Sequence, residues 1–478
     1  MNNIYISNFI WRLLERFGAQ GVSLVVSIIL ARLLDPSVYG IVALITVFTA
    51  IFNIFIDGGF GNALIQKKDA DGLDFSSVFY FNLALSIFMY IILYMLAPSI
   101  SNFYKMSELI PIIRVMGITI ILSGIKNIQQ AYISRHMLFK KFFYSTLCGT
   151  VGAAFIGILM AYKGYGVWAL VTQNLFNQFL DMTILWFTVN WRPQLKFSIT
   201  RIRQLFSFGW KLLVSNLVYN GYTQLRQLLI GKYYSSSDLA YYNQGDKFPT
   251  LISNNINSSI DSILFPAMSS VQENPENVKR MLKKSIQLSQ FVVAPCVLGL
   301  FACSEEIVKI VLTDKWLPCV PYMQLFCLAN VFGFMGNANQ NAIIAIGRSD
   351  VKLKIEVFKT IFDFAVLFLT LPFGPLYMAL GVTISSIIRI WICAYPNKKL
   401  LDYSFGKQLL DILPCLFVNL LMVILVCLVK ILNFTEWITL LIQILVGIVS
   451  YLLFSIIFKL EPFYYVLNVV RNYIKERC

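Results

Sequence analysis

Apolar residues dominate long runs along the chain, and the charged residues collect mainly between the runs. The first run extends from Leu13 to Leu34 and others follow at regular intervals. About 20 consecutive apolar residues are what an α-helix needs to cross the hydrocarbon of a bilayer. On that criterion the pattern predicts spans over 12–33, 38–57, 76–97, 109–132, 143–162, 166–190, 207–231, 240–266, 285–312, 319–346, 354–373, 376–395, 409–430 and 437–458. The expected fold class is an all-α membrane protein of about fourteen transmembrane helices. The first run is too long for a signal h-region, and no basic n-region or small-residue cleavage site accompanies it, so it is expected to be retained as the first span.

Composition supports this pattern. Hydrophobic residues make up 58% of the 478 residues and charged ones 13%, with a mean hydropathy of +0.70, too little polar surface to coat a soluble globule. Spans at this spacing leave almost nothing for a soluble domain. Nine cysteines are scattered without C-x-x-C spacing, and Cys148, Cys296, Cys327, Cys393, Cys415 and Cys427 fall inside apolar stretches, where they read as small apolar fillers. His136 is the one histidine, which argues against histidine-cluster metal sites and histidine-based triads, and no G-x-x-x-x-G-K phosphate loop occurs. No metal, cofactor or enzymatic activity is expected.

Charge then supplies orientation. One set of alternate loops carries Lys67, Lys68, Arg135, Lys140, Lys141, Arg192, Lys196, Arg201, Arg203, Lys279, Arg280, Lys283, Lys284, Arg348, Lys352, Lys354, Lys398, Lys399 and Lys407, whereas the other holds only Lys105, Lys163, Lys232, Lys315 and Lys430, with Arg32 at a helix end. The positive-inside rule makes the first set cytoplasmic, together with both termini. The net charge of +15 is thereby explained by topology and contact with anionic lipids, without a nucleic-acid partner. Two cytoplasmic connectors look structured: 198–206 puts Ile202, Leu205 and Phe206 on one face, as an interfacial helix would, and 274–284 opens with a proline and turns basic. The external loops are short, which leaves a glycosyltransferase or polymerase active on the outer face without a domain for its chemistry.

An internal repeat appears at an offset near 200–213 residues. Arg32, Asp35, Ser37, Val38 and Tyr39 match Lys232, Ser235, Ser237, Leu239 and Tyr241, and Asn127, Gln130, Ala131, Arg135 and Lys140 match Asn337, Gln340, Ala342, Arg348 and Lys352. An offset of six helices preserves orientation. It implies two parallel six-helix lobes, 1–195 and 196–400, about a pseudo-twofold axis along the membrane normal, with two additional helices and a cytoplasmic tail in 401–478.

Several stretches carry a family resemblance. Ala31-Arg32-Leu33-Leu34-Asp35-Pro36 through Tyr39-Gly40, the glycine-rich Asp57-Gly58-Gly59-Phe60-Gly61-Asn62-Ala63-Leu64-Ile65-Gln66, and Leu96-Ala97-Pro98 with Phe103-Tyr104 and Ile113-Arg114-Val115 stand in order. Gly164-Tyr165-Gly166-Val167-Trp168-Ala169-Leu170, Phe265-Pro266-Ala267-Met268-Ser269, Ala294-Pro295 and Lys315-Trp316-Leu317-Pro318 continue the series over essentially the whole chain. Together they resemble the polysaccharide transporters, the O-antigen and exopolysaccharide flippases of the multidrug/oligosaccharidyl-lipid/polysaccharide exporter superfamily. The resemblance implies a carrier of the bacterial cytoplasmic membrane that moves an undecaprenyl-diphosphate-linked oligosaccharide outward by alternating access. Polysaccharide polymerase or assembly proteins are its implied partners.

Ionisable residues inside spans each require a partner, a wet cavity or a ligand. Arg226, Lys126, Arg389 and Lys247, with Arg16, are the candidate cations for a diphosphate, and guanidinium is the better partner because its fork bonds two oxygens at once. Asn216, Asn220, Gln224 and Asn254 are candidates to face sugar hydroxyls; the alternative is that they join helices to one another. Glu356, Lys359 and Asp363 form one stripe on a helix, and Asp363 lies level with Thr383 and Ser386. These three could bind a coupling sodium ion or proton, or Asp363 could simply pair with Lys359 or Arg389. The membrane potential also favours outward movement of a diphosphate, by roughly 2.3 kcal/mol per charge per 100 mV. A multidrug or small-cation antiporter of the same superfamily is the alternative function, and a membrane glycosyltransferase or polymerase the more distant one.

Overall fold

The computed structural model describes residues 3–67, 69–432 and 434–475; the side chains of 3–10 and 12–17 and of a few later positions lie outside that description. Helix accounts for 88% of the structure, and no strand occurs among the described residues. The helices are α1 (Asn3–Leu33), α2 (Pro36–Asp57), α3 (Phe60–Gln66), α4 (Gly72–Tyr104), α5 (Leu109–Arg135), α6 (Phe139–Tyr162), α7 (Val167–Thr188), α8 (Ile199–Tyr233) and α9 (Ser236–Ser270). They continue as α10 (Pro275–Ala302), α11 (Ser304–Ile307), α12 (Val320–Asn330), α13 (Gly333–Ala345), α14 (Ser349–Thr370), α15 (Pro375–Leu400), α16 (Phe405–Leu428), α17 (Glu436–Ile457) and α18 (Glu461–Lys475).

Helices occupy the apolar runs, the one expected at 319–346 as two pieces, α12 and α13, and among the described residues nine helical stretches are long and apolar enough to cross a membrane. Their outward faces are apolar: Phe88, Met95, Phe155, Phe368 and Leu441 are exposed, the arrangement a lipid solvent favours.

Other elements differ from the sequence expectation for local reasons, and the connector at 274–284 stands not apart but as the opening of α10. The connector at 198–206 is no separate interfacial helix but the opening of α8, a single 35-residue helix whose N-cap Ser198 accepts the Arg201 N–H. Its Ile202 and Leu205 are buried against Phe60, Leu64 and Phe75. The run expected to reach 312 ends at Ala302, where the chain turns into α11 and a short irregular helix over Val308–Leu312. A further difference is the break between α2 and α3. Gly58 and Gly59 both adopt left-handed backbone, φ 49° and 74°, which glycine enters without the Cβ clash other residues meet. Gly209 of α8 crosses there so closely that a Cβ on Gly59 would stand 2.5 Å from its carbonyl oxygen.

The chain divides into two compact units, Met1–Ala240 and Tyr241–Cys478. In the first, α6 lies between α1 and α7 while α5 packs on α4 and α7, around a core that includes Leu30, Ile45, Leu93, Ile113 and Val171. In the second, α10 packs on α12, α13 and α16. An amide cluster ties α13, α15 and α16 together: Asn397 donates to Asn339 Oδ1 at 2.7 Å, while Asn339 and Gln408 exchange bonds of 2.8 and 2.9 Å. All three side chains are buried. The last long helix, α17, is anchored by Tyr451, whose hydroxyl donates to the Phe291 carbonyl at 2.7 Å.

Candidate functional site

Beside the break at Gly58–Gly59 lies a cavity of about 450 Å³ in the first unit. α2 contributes Asn53 and Asp57, and α3 adds Gly61, Asn62 and Ile65. The facing wall is α5, where Ser123, Lys126, Asn127, Gln130, Ala131 and Ser134 recur at the helical period and so share one face. Phe142 of α6 completes the lining.

Lys126 is buried, with 9% of its surface exposed. Its ammonium donates to Gln178 Oε1 at 2.6 Å and to Asp181 Oδ2 at 3.0 Å, both on α7. Asp181 is buried as well, and its other oxygen, Oδ1, accepts no hydrogen bond among the described residues. α6 approaches this pair through Gly149, where a Cβ would touch both Asn177 and Asp181. Outside that lining, Arg135 donates to the Leu64 and Lys67 carbonyls at 2.6 and 2.5 Å, which fixes α3 against α5. Lys67 in turn reaches the fully buried Asp74 at 2.7 Å.

Arg201, at the start of α8, approaches Asp74 and Asp71 at 3.4 Å each. Asp71 caps α4, and its bond from the Asp74 N–H, with Arg201 and Lys67 beside it, holds its carboxyl below the ordinary carboxylate range. In the second unit the fork of Arg348 holds Asp350 down to about 2.

The structure distributes the sequence candidates unevenly. Lys126 lines the cavity. Arg226 is buried on α8 in the same unit, with its guanidinium 5.3 Å from the Tyr222 ring, but it does not line the cavity. The Arg16 side chain lies outside the described residues. Asn216, Asn220 and Gln224 form one half-buried stripe of α8, and Asn220 donates to the Asn216 carbonyl at 2.9 Å. Asn254 is exposed and Lys247 half-buried on α9.

On α14 the carboxylate of Asp363 lies 3.5 Å from Arg389, and Lys359 pairs with Glu356 at 3.1 Å. The Thr383 hydroxyl donates to carbonyls of Leu325 and Ala379, and that of Ser386 to Thr383, so both protons go to backbone. No cluster of metal-ligand side chains occurs among the described residues.

Lys126 stands out in the sequence as a lysine in an apolar span, whereas Asn53 beside it does not, and Asn62, Asn127 and Gln130 are visible there only as parts of motifs or of the repeat. The available signal was the polar stripe 123, 126, 127, 130 and 134 inside an otherwise apolar span.

Long apolar helices around a polar, partly charged cavity define a multi-pass helical membrane protein. The chain belongs to the polysaccharide biosynthesis protein family (Polysacc_synt_3), whose profile matches residues 29–321. It is 24% identical over 396 residues to the lipopolysaccharide biosynthesis protein WzxC of Escherichia coli strain K12, covering 80% of this chain and 78% of that one. To the succinoglycan biosynthesis transport protein ExoT of Rhizobium meliloti strain 1021 it is 25% identical over 320 residues, 67% of this chain and 65% of that one. Among solved structures, the inward closed conformation of the lipid II flippase MurJ superposes with a TM-score of 0.77, at 16% identity and over 94% of this chain and 98% of that one. At that identity the likeness concerns the fold.

Proposed function

We propose that this protein is a flippase, carrying a lipid-linked oligosaccharide across the bacterial cytoplasmic membrane for cell-surface polysaccharide synthesis. The observation that carries the reading is the polar cavity at the α2–α3 break, lined by amides, hydroxyls and Lys126 in a helical bundle whose outward faces are apolar. Buried polar groups in a membrane bundle are expensive and tend to mark substrate paths, and a wall of amides and hydroxyls offers the donor and acceptor pairs a glycan needs. Family membership supports the glycan, and the likeness to ExoT, a succinoglycan biosynthesis transport protein, supports transport.

In this reading both termini are cytoplasmic, as the loop charges require, and transport proceeds by alternating access of the two repeat-related lobes, 1–195 and 196–400. Arg226 in the first unit and Lys247 and Arg389 in the second are the cations offered to the diphosphate. Asp363, with Thr383 and Ser386, is the candidate coupling-ion site, in competition with its pairing to Arg389.

The experiment is reconstitution. Proteoliposomes holding the purified protein should move a fluorescent undecaprenyl-diphosphate-linked oligosaccharide between leaflets, measured as the fraction open to a membrane-impermeant quencher. Translocation no faster than in protein-free vesicles, under an imposed potential and with a sodium or a proton gradient, overturns the proposal.

A further inference from the structure

Charge within the cavity decides which part of a lipid-linked glycan it suits. Lys126 is the one cation of its lining among the described residues, and that charge is answered by Asp181 at 3.0 Å. An ammonium has three N–H donors; one is directed to Gln178, one to Asp181, and a third remains for a ligand. A diphosphate brought to that third donor would stand beside the Asp181 carboxylate in a buried, weakly screened setting, where like charges repel strongly. Asp57 adds a second carboxylate on the α2 side and has no ion-pair partner among the described residues. Among the described lining residues one cation faces one carboxylate, and Asp181 bonded behind Lys126 tips the balance further, a poor seat for an anion.

The remaining groups suit a neutral polyhydroxyl ligand. Asn62, Asn127 and Gln130 each present a donor and an acceptor, and Asn53 Oδ1 is buried with no hydrogen-bond partner among the described residues. An unfilled acceptor of this kind is what a hydroxyl donor completes. The volume of about 450 Å³ falls within the roughly 300–1,000 Å³ of small-molecule sites, room for about one or two pyranose rings.

We infer that this cavity seats uncharged sugar residues of the transported glycan, and that the Lys126–Asp181 pair keeps the diphosphate out of it. The inference rests on the flippase reading and refines it. Lys126 then serves as a sugar hydrogen-bond donor whose charge is cancelled in place. Asp181 is a positioning residue, acting on the ligand through Lys126.

The test uses the full chain with its native cysteines replaced and Ser134→Cys introduced at the cavity wall, reconstituted in proteoliposomes. The readout is the rate of maleimide labelling. The probes are inorganic pyrophosphate and the oligosaccharide released by mild acid from the host's lipid-linked pool, with any carboxyl groups reduced to alcohols. The oligosaccharide should slow labelling several-fold, and pyrophosphate at the same concentration should not.

Asp181→Asn leaves the Lys126 charge uncancelled, so in that variant pyrophosphate should begin to protect. Protection by pyrophosphate in the Asp181 parent, or none by the oligosaccharide, overturns the inference. Flipping is measured separately in the same vesicles with the complete lipid-linked substrate. Its absence would sink the flippase reading, whereas its presence alongside pyrophosphate protection would sink this inference alone.

Discussion

Lys126 and Asp181 illustrate how a residue's worth depends on its partner. Removing one member of a buried ion pair strands the other, typically at about 3–5 kcal/mol, while replacing both by apolar groups of similar size is often near neutral for folding. Lys126→Ala should therefore lower the thermal unfolding midpoint of the detergent-solubilised protein, and Lys126→Met with Asp181→Leu should recover most of the loss. Equal destabilisation by the single and double changes would show that the pair does not hold α5 to α7.

Gln130→Ala and Asn62→Ala remove cavity hydrogen bonds without stranding a charge. At about 0.5–1.5 kcal/mol per bond each should slow flipping by roughly two- to ten-fold, while Lys163→Ala on the exposed α6–α7 turn leaves the rate unchanged. The candidate cation was legible in the sequence because one lysine in an apolar span is conspicuous. Its counter-ion was not, since Asp181 lies 55 positions away and one sequence does not show which of several intramembrane carboxylates a lysine will meet.

Among the elements, the helices themselves were the most legible, because long apolar runs leave the chain few alternatives in lipid. Their interruptions were less so. The glycine pair at 58–59 was visible as a motif, but the close crossing of Gly209 over it, a contact between positions 150 apart, was not. Gly59→Ala should disturb the protein for two reasons, a left-handed backbone and a Cβ 2.5 Å from the Gly209 carbonyl. Gly21→Ala, in open space within α1, should be neutral or mildly stabilising. Comparing the two unfolding midpoints isolates the crossing; indistinguishable values would mean that the α2–α3 break tolerates a side chain.

For the molecule as a whole, loop charge gives an orientation that can be checked directly. In a background without native cysteines, Lys163→Cys should react with an impermeant thiol reagent added outside intact cells, and Lys399→Cys only after permeabilisation. The opposite pattern would invert the topology.

The amide cluster of Asn339, Asn397 and Gln408 has a consequence for biogenesis. The ribosome delivers α13 and α15 to the membrane before α16, so two asparagine side chains must wait in the bundle for a glutamine still to be synthesised. Until it arrives Asn339 and Asn397 have only each other and nearby carbonyls, and the bonds that Asn339 exchanges with Gln408 go unmade. A chain stopped before residue 405 is thus marked as unfinished, and the quality-control proteases of the membrane should clear it faster than the full-length protein in a pulse-chase.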